Sequence, residues 1–396
     1  MNSGDDFRRE LDRLAEHGRL RQFRPLRGKE GAQAVYEGRT LINMTSNDYL
    51  GIAGDKDLHR EFYDRLGEHN LLESYGLGAA SSRLLTGDSV SSHELEESLC
   101  RYYDRPSCLL FNSGYHANIG ILPTIAAKKD LILSDKLNHA SIHDGMLLSR
   151  ATHKRYRHLD YDHLRAILLR EREKYKRAVI VSESVFSMDG DVADLRRLAE
   201  IKKEFDCLLY IDEAHAVGVY GDMGLGKAEE YKVIGEIDLL VGTFGKAWAS
   251  LGAFVLCSGD IRDYLINFSR SLIFTTALPP VVTAWNLFIL ERITTMAEKR
   301  RMLARLSSTL RTELAAQGLT TAGSTNIVPV IIGDNSRSVA MAQHLYDLGY
   351  LIFAVRPPTV PEGTARFRLS LTAAMDWQEL RHLPRHISKA LRAHED

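Results

Sequence analysis

Six short segments constrain this chain more than anything else in it: residues 107–111, 130–135, 177–184, 207–214, 237–244 and 253–258. Each is rich in Val, Ile and Leu and apolar on both faces. A strand of that kind cannot lie on a sheet with one wetted side; it reads as a parallel strand covered by helices above and below. Helical stretches such as 194–205 separate several of the six. The reading is therefore an α/β fold with a mostly parallel sheet between helices.

Either side of this core the texture differs. Residues 5–18 place Phe7, Leu11, Leu14 and Ala15 at helical spacing among charges. The stretch "TLINMTSNDYLGI" reads as a strand running into a turn. "SVSSHELEESLCRYY" carries a capping-box pattern, Ser92 with Glu96 and Glu97 behind it. From about residue 285 one long charged helix runs to Gly318. "NIVPVIIG", "YLIFAVR" and "ARFRLSL" follow as strands, with "SRSVAMAQHLYDLG" as a helix. The expected division is an N-terminal helix and arm (1–45), a large α/β domain (46–285) and a smaller C-terminal α+β domain (286–396).

Charge and cysteine usage narrow the function. Lys+Arg total 51 against Asp+Glu 52, a net charge of −1, so no nucleic-acid or anionic-membrane surface is expected. No apolar run reaches the roughly 20 residues of a membrane helix, and the charged N-terminus does not read as a secretory signal. Cys100, Cys108, Cys207 and Cys257 lack metal-ligand spacing, so no metal site is expected and a reducing cytoplasm is the natural setting.

Ligands of open α/β sheets gather at the carboxyl ends of the strands. Asn112-Ser113-Gly114-Tyr115, Asn138-His139, Ser187 with Asp189 and Asp191, Asp212 with His215, and Thr243 with Lys246 fall there. Two nucleotide motifs compete for part of this set. "DEAH" (212–215) spells a helicase box, and "GDMGLGKA" (221–228) nearly spells a phosphate loop. Yet Ala228 stands where Mg²⁺ needs a hydroxyl, and no apolar strand leads into Gly221. Pyridoxal 5′-phosphate explains the set better. That cofactor needs a lysine for covalent attachment, a carboxylate for its ring nitrogen, a phosphate cradle and a flat group over the ring. Lys246, Asp212, the helix start at Ser113-Gly114-Tyr115 and His139 supply one part each.

The motifs "TSNDYLG", "NSGYHAN", "LNHASIHDG", "VSESVFSMDGD", "IDEAHAVGVYGDMGLG" and "TFGKAWAS" together resemble the α-oxoamine synthases, pyridoxal-phosphate enzymes of fold type I. The resemblance runs from about residue 10 to 390. It implies condensation of an amino acid with an acyl thioester and loss of CO₂, in a homodimer with shared active sites. It makes Lys246, His139 and Asp212 catalytic, with His215 and Ser187 at the cofactor's phenolic edge. Gly114, Tyr115 and Thr243 then meet the phosphate, as do Thr275 and Thr276 of the other subunit. Asn47 and Arg356 would hold the amino-acid carboxylate; Thr359 and Arg21 would contact the acyl substrate. "VRPPTVPEGTARFRLSLTAAMD" resembles the biotin-pathway member, which joins L-alanine to pimeloyl-CoA or a pimeloyl-carrier protein. Glycine C-acetyltransferase activity is the alternative within the family. Two stretches depart from the family's glycine-rich habit: Trp248-Ala249-Ser250 and Ala79-Ala80-Ser81.

Overall fold

A computed structural model describes residues 3–393 and divides them into two units. The larger comprises Asp57–Phe186 and Val192–Arg300; the smaller comprises the chain up to Lys56, Ser187–Asp191 and everything from Arg301.

The larger unit is built on seven strands: β4 (Ser107–Phe111), β5 (Leu131–Asp135), β6 (Thr152–Tyr156), β7 (Ala178–Glu183), β8 (Leu208–Asp212), β9 (Leu239–Thr243) and β10 (Ala253–Cys257). Their order across the sheet is β4-β10-β9-β8-β7-β5-β6. Pairings from β9 to β6 are parallel, and β10 runs antiparallel to both its neighbours. Five of the six sequence-read strands are buried at every position, and the sixth, β8, at all but its first residue. Each buried Leu, Ile or Val contributes about 1.5–3 kcal/mol against exposure, which holds these segments in the sheet. The strand not anticipated is β6, "THKRY", whose side chains alternate toward solvent at the sheet edge. Such charge is a common protection for an edge strand, and it hides the strand from an apolar reading.

The helix Gly114–Ile125 follows β4, and Ala117, Ile121, Leu122 and Ile125 join the buried cluster with Leu109, Val181, Val241 and Val255. Two local expectations are corrected. The helix Val90–Tyr103 is capped by Ser89, whose side chain accepts from Ser92 N–H at 3.3 Å. Glu96 turns inward instead, binding Arg83 and accepting from Leu110 N–H at 2.9 Å. The long charged helix is two helices, Pro280–Thr295 and Ala297–Ala316, parted at Met296. Thr294 and Thr295 bond their hydroxyls back to the carbonyls three residues earlier, which competes with the helix ladder there.

In the smaller unit β1 (Leu26–Glu30), β2 (Gln33–Tyr36), β3 (Arg39–Asn43) and β12 (Tyr350–Leu351) form one sheet. β11 (Ile327–Gly333), β13 (Ala354–Val355) and β14 (Ala365–Ser370) form another, in the order β11-β14-β13. The N-terminal helix spans Ser3–Glu16, and Phe7 and Leu11 on it are exposed.

Candidate active site

Strand register places the central carboxylates. Glu183 ends β7 and Asp212 ends β8, and the two are directly paired across the ladder. Asp212 is 4% exposed. Its Oδ1 accepts from Ala214 N–H and its Oδ2 from Asn118 Nδ2, each at 2.9 Å. Asn118, 1% exposed, also donates to Ser141 Oγ at 2.9 Å and accepts from the Tyr210 hydroxyl. The carboxylate is thereby aimed and held in a buried network whose polar atoms all have partners.

His139 caps the helix Ala140–Leu148, its Nδ1 accepting from Ser141 N–H at 3.2 Å. Its own N–H donates to Glu183 Oε1. The Nδ1 edge of the ring is tethered, and the bonds His139 makes to Glu183 and Ser141 are part-buried. Burial holds His139 below the usual imidazole range; Asp212 favours its charged form, and Lys246 opposes it. Glu183 is pushed up to about 8, by burial first and then by Asp212, against the opposing pull of Lys246. Lys246, Asp212, His139 and Glu183 therefore lie within electrostatic reach of one another.

Lys246 is half-buried just past β9. Its carbonyl accepts from Ala249 N–H at 2.9 Å, and Ser250 N–H returns to Phe244 O at 2.9 Å, closing a tight turn. Ala249 takes the left-handed conformation, φ +49°, which suits glycine better. Trp248 is 1% exposed and anchors the turn. Its ring lies 4.8 Å from that of Phe244, and its carbonyl accepts from Trp285 Nε1 at 3.3 Å. Gly218 passes so close that a Cβ there would stand 2.8 Å from Ala247 Cβ, at φ +88°. Ala80, in the other departing stretch, is also left-handed, at φ +52°.

The start of the helix after β4 offers backbone donors of the kind a phosphate needs, while the Thr243 hydroxyl donates to Gly252 O at 3.0 Å. Ser113 caps the helix Gly114–Ile125 by accepting from His116 N–H at 3.1 Å. Among the described residues no acceptor takes the N–H of Gly114 or Tyr115, and a Cβ on Gly114 would lie 3.8 Å from Thr243 Cβ. Free donors at a helix start, beside a strand-end hydroxyl, suit a phosphate. Asn112 Nδ2 reaches Thr276 O at 2.7 Å and Thr275 Oγ1 at 3.4 Å, so both threonines sit near the end of β4 in the same chain. His215 is buried in the turn after β8. These residues fit pyridoxal phosphate: attachment amine, ring-nitrogen carboxylate, stacking face and phosphate donors all come from the larger unit.

The "DEAH" box has a different use. Glu213 accepts from Ala228 N–H at 2.7 Å, Lys227 N–H at 3.0 Å and Ser184 Oγ at 2.8 Å. It is a buried cap on the turn helix Lys227–Glu230, and Lys227 pairs with Glu230 at 2.8 Å. Both groups are committed inside the protein.

Ser187 and the substrate-binding candidates belong to the smaller unit. Asn47 Oδ1 accepts from Arg368 Nη1 at 3.1 Å, and Arg368 also reaches Tyr49 OH at 3.3 Å and the Ser187 carbonyl. Asn47 is thus joined to Arg368 and not to Arg356, whose Nη1 donates to Gly18 O. Arg21 Nη2 donates to Thr359 Oγ1 at 3.0 Å, bringing together the two residues expected at the acyl substrate. Sequence reading passed over Asn118, Glu183 and Arg368. Each lies inside a quoted motif, but only tertiary pairing picks it out.

Comparison with known proteins completes the description. The aminotransferase class I and II family matches residues 39–387. A protein of Glaesserella parasuis, provisionally named 8-amino-7-oxononanoate synthase, is 49% identical over 376 residues, covering 94% of this chain and 97% of its own. The 8-amino-7-oxononanoate synthase of Chlorobaculum parvum is 46% identical over 372 residues, 94% of this chain and 95% of its own. A solved serine palmitoyltransferase carrying pyridoxal phosphate superposes with a TM-score of 0.90 at 30% identity, over 98% of this chain and 97% of that one.

Proposed function

The chain belongs to the aminotransferase class I and II family, in its α-oxoamine synthase branch, and we propose that it joins L-alanine to a pimeloyl thioester, giving 8-amino-7-oxononanoate, CO₂ and free thiol. That it is a pyridoxal-phosphate-dependent, acyltransferase-type enzyme of fold type I follows from the family and its solved relative. The observation that carries the chemistry is Asp212, buried, aimed by Asn118 and within electrostatic reach of Lys246. The names of the curated relatives support the choice of substrates.

When bound, pyridoxal phosphate supplies a ring that accepts the electron pair left as Cα loses its proton or its carboxylate. Lys246 Nζ would attach the cofactor, Asp212 would keep the ring nitrogen protonated, and His139 would cover one face. Gly114 N–H, Tyr115 N–H and the Thr243 hydroxyl would take the phosphate, and His215 and Ser187 the phenolic edge. Asn47 and Arg356 would hold the alanine carboxylate, with Arg368 donating to Asn47 Oδ1 and steadying its amide. Lys246 Nζ would remove the Cα proton. Cα then bonds to the acyl carbon as the C–S bond breaks, and the thiolate leaves with a proton. The alanine carboxylate departs as CO₂, and Lys246 returns a proton to Cα. Arg21 and Thr359, bonded to each other, would contact the acyl substrate. Residence in the cytoplasm, and a homodimer in which Thr275 and Thr276 serve the partner's site, belong to the same reading.

The test is product identification by mass spectrometry. The purified enzyme is given L-alanine, glycine or L-serine with pimeloyl-CoA, pimeloyl-carrier protein or acetyl-CoA. Alanine with a pimeloyl thioester is expected to give the product of highest kcat/KM; preference for glycine with acetyl-CoA would overturn the assignment. Lys246→Ala is expected to abolish turnover and covalent retention of the cofactor after borohydride treatment.

A further inference from the structure

Where the proton of His139 sits is decided by the polarity of one hydrogen-bond chain. The chain runs from Asp212 through Asn118 and Ser141 to His139 Nδ1, with Tyr210 beside Asn118. Every member belongs to the larger unit. Asp212, Asn118, Ser141 and Tyr210 are all buried, so each polar atom among them must find its partner inside the protein.

Each link can be given its donor. An ionised carboxylate only accepts, so the Asn118 atom 2.9 Å from Asp212 Oδ2 is the amide nitrogen. The amide oxygen is then turned to Tyr210, whose hydroxyl donates to it. The amide nitrogen also donates to Ser141 Oγ, at 2.9 Å. Among the described residues the one other partner of Ser141 Oγ is His139 Nδ1, at 2.7 Å. If Nδ1 carried a proton and donated it there, the buried Ser141 hydroxyl proton would have no acceptor, a loss of about 1–3 kcal/mol. The Ser141 O–H therefore donates to Nδ1. The Ser141 backbone N–H reaches the same nitrogen at 3.2 Å, a second donor that a protonated Nδ1 would oppose.

We propose that Ser141 is a positioning residue: it holds His139 neutral with the ring proton on Nε2, and takes its own direction from Asp212 through Asn118. The bond made by one ring nitrogen settles the state of the other. In this form Nε2 donates a hydrogen bond but has no lone pair with which to take up a proton. His139 then serves an oxygen at its Nε2 edge, and proton removal is left to Lys246. That consequence for turnover rests on the proposed function; the position of the ring proton rests on the hydrogen-bond chain alone.

Nitrogen NMR of the holoenzyme, isotope-labelled in its histidine rings, tests this directly, with His139→Gln identifying the His139 signals. Wild type at neutral pH is expected to show an unprotonated Nδ1 and a protonated Nε2. Ser141→Ala removes the O–H and keeps the backbone donor. Its His139 should populate both tautomers and titrate about one pH unit higher, the worth of one hydrogen bond. Ser141→Thr returns the hydroxyl and should return both readings to wild type. The charged groups facing the ring are Asp212, Lys246, Asp144 and Glu183; they are common to all these proteins and cancel in the comparison. Loss of packing alone would lower the melting midpoint of Ser141→Ala and leave the ring proton where it was. A wild-type proton on Nδ1, or a Ser141→Ala variant with the wild-type tautomer and titration, would overturn the proposal. The wild-type spectrum needs no variant, so it decides the matter even where Ser141→Ala does not fold. An enzyme with the expected tautomer that fails to join alanine to a pimeloyl thioester would remove the substrate reading and leave the role of Ser141 standing.

Discussion

Glu183→Gln isolates the electrostatics at the heart of the site. Glu183 is 2% exposed. Its pKa is raised from 4.5 to about 8, by burial first, with Asp212 on β8 and Asp135 on β5 pushing the same way and Lys246 and the His139 N–H pulling back. The folded value lies above the unfolded one. The stability contributed by the protonated carboxyl is therefore complete below pH 4.5 and is lost as pH rises toward about 8. At about 1.4 kcal/mol per pH unit, the whole window spans roughly 5 kcal/mol. Glutamine is neutral throughout and can still accept the His139 N–H through its amide oxygen. Urea denaturation of wild type and variant, from pH 5 to 8.5 at one protein concentration, reads the difference. The variant should gain on wild type by about 1.4 kcal/mol per pH unit up to about pH 8, then level off. His139, held low by burial, destabilises in the opposite direction as pH falls, but it is common to both proteins and largely cancels in the difference. A difference that does not move with pH would refute the reasoning.

Three further substitutions probe the frame around the site. Asn118→Ala removes the donor to Asp212 and the acceptor of Tyr210, and should cost about 2–5 kcal/mol in denaturant titrations. It should also weaken cofactor retention in a gel-filtration assay; unchanged retention would show that Asp212 is aimed without it. Trp248→Ala empties a buried, ring-packed position and should cost about 3–5 kcal/mol, with a lowered melting midpoint as the readout. Ala249→Gly relieves a left-handed alanine and should leave stability within about 1 kcal/mol of wild type, whereas Ala249→Val should lower it clearly.

The legible parts of this structure are those written locally. Both-faced apolar runs mark the strands of the large sheet, and small or ionisable residues at their ends mark the cofactor side of it. Lys246, Asp212, His139 and the Gly114 turn are readable for that reason. Asn118 is not, because it sits a turn inside a helix and its partner is 94 positions away in sequence. Glu183 looks like the last residue of a strand until register sets it against Asp212. Arg368 looks like the outward residue of an alternating strand until its bonds to Asn47 and Tyr49 are seen. β6 escapes because an edge strand needs no apolar pattern, and the break at Met296 because helical periodicity continues across it.

The two left-handed alanines, Ala80 and Ala249, hold turns where a glycine would be at ease. Glycine in the unfolded chain roams more of conformational space than alanine does, so each methyl trades native strain for a narrower search. The turn that carries Lys246 is thereby restricted to fewer shapes before the cofactor arrives. A single methyl, three residues past the lysine, sets how much of the lysine's placement is decided by the backbone in advance.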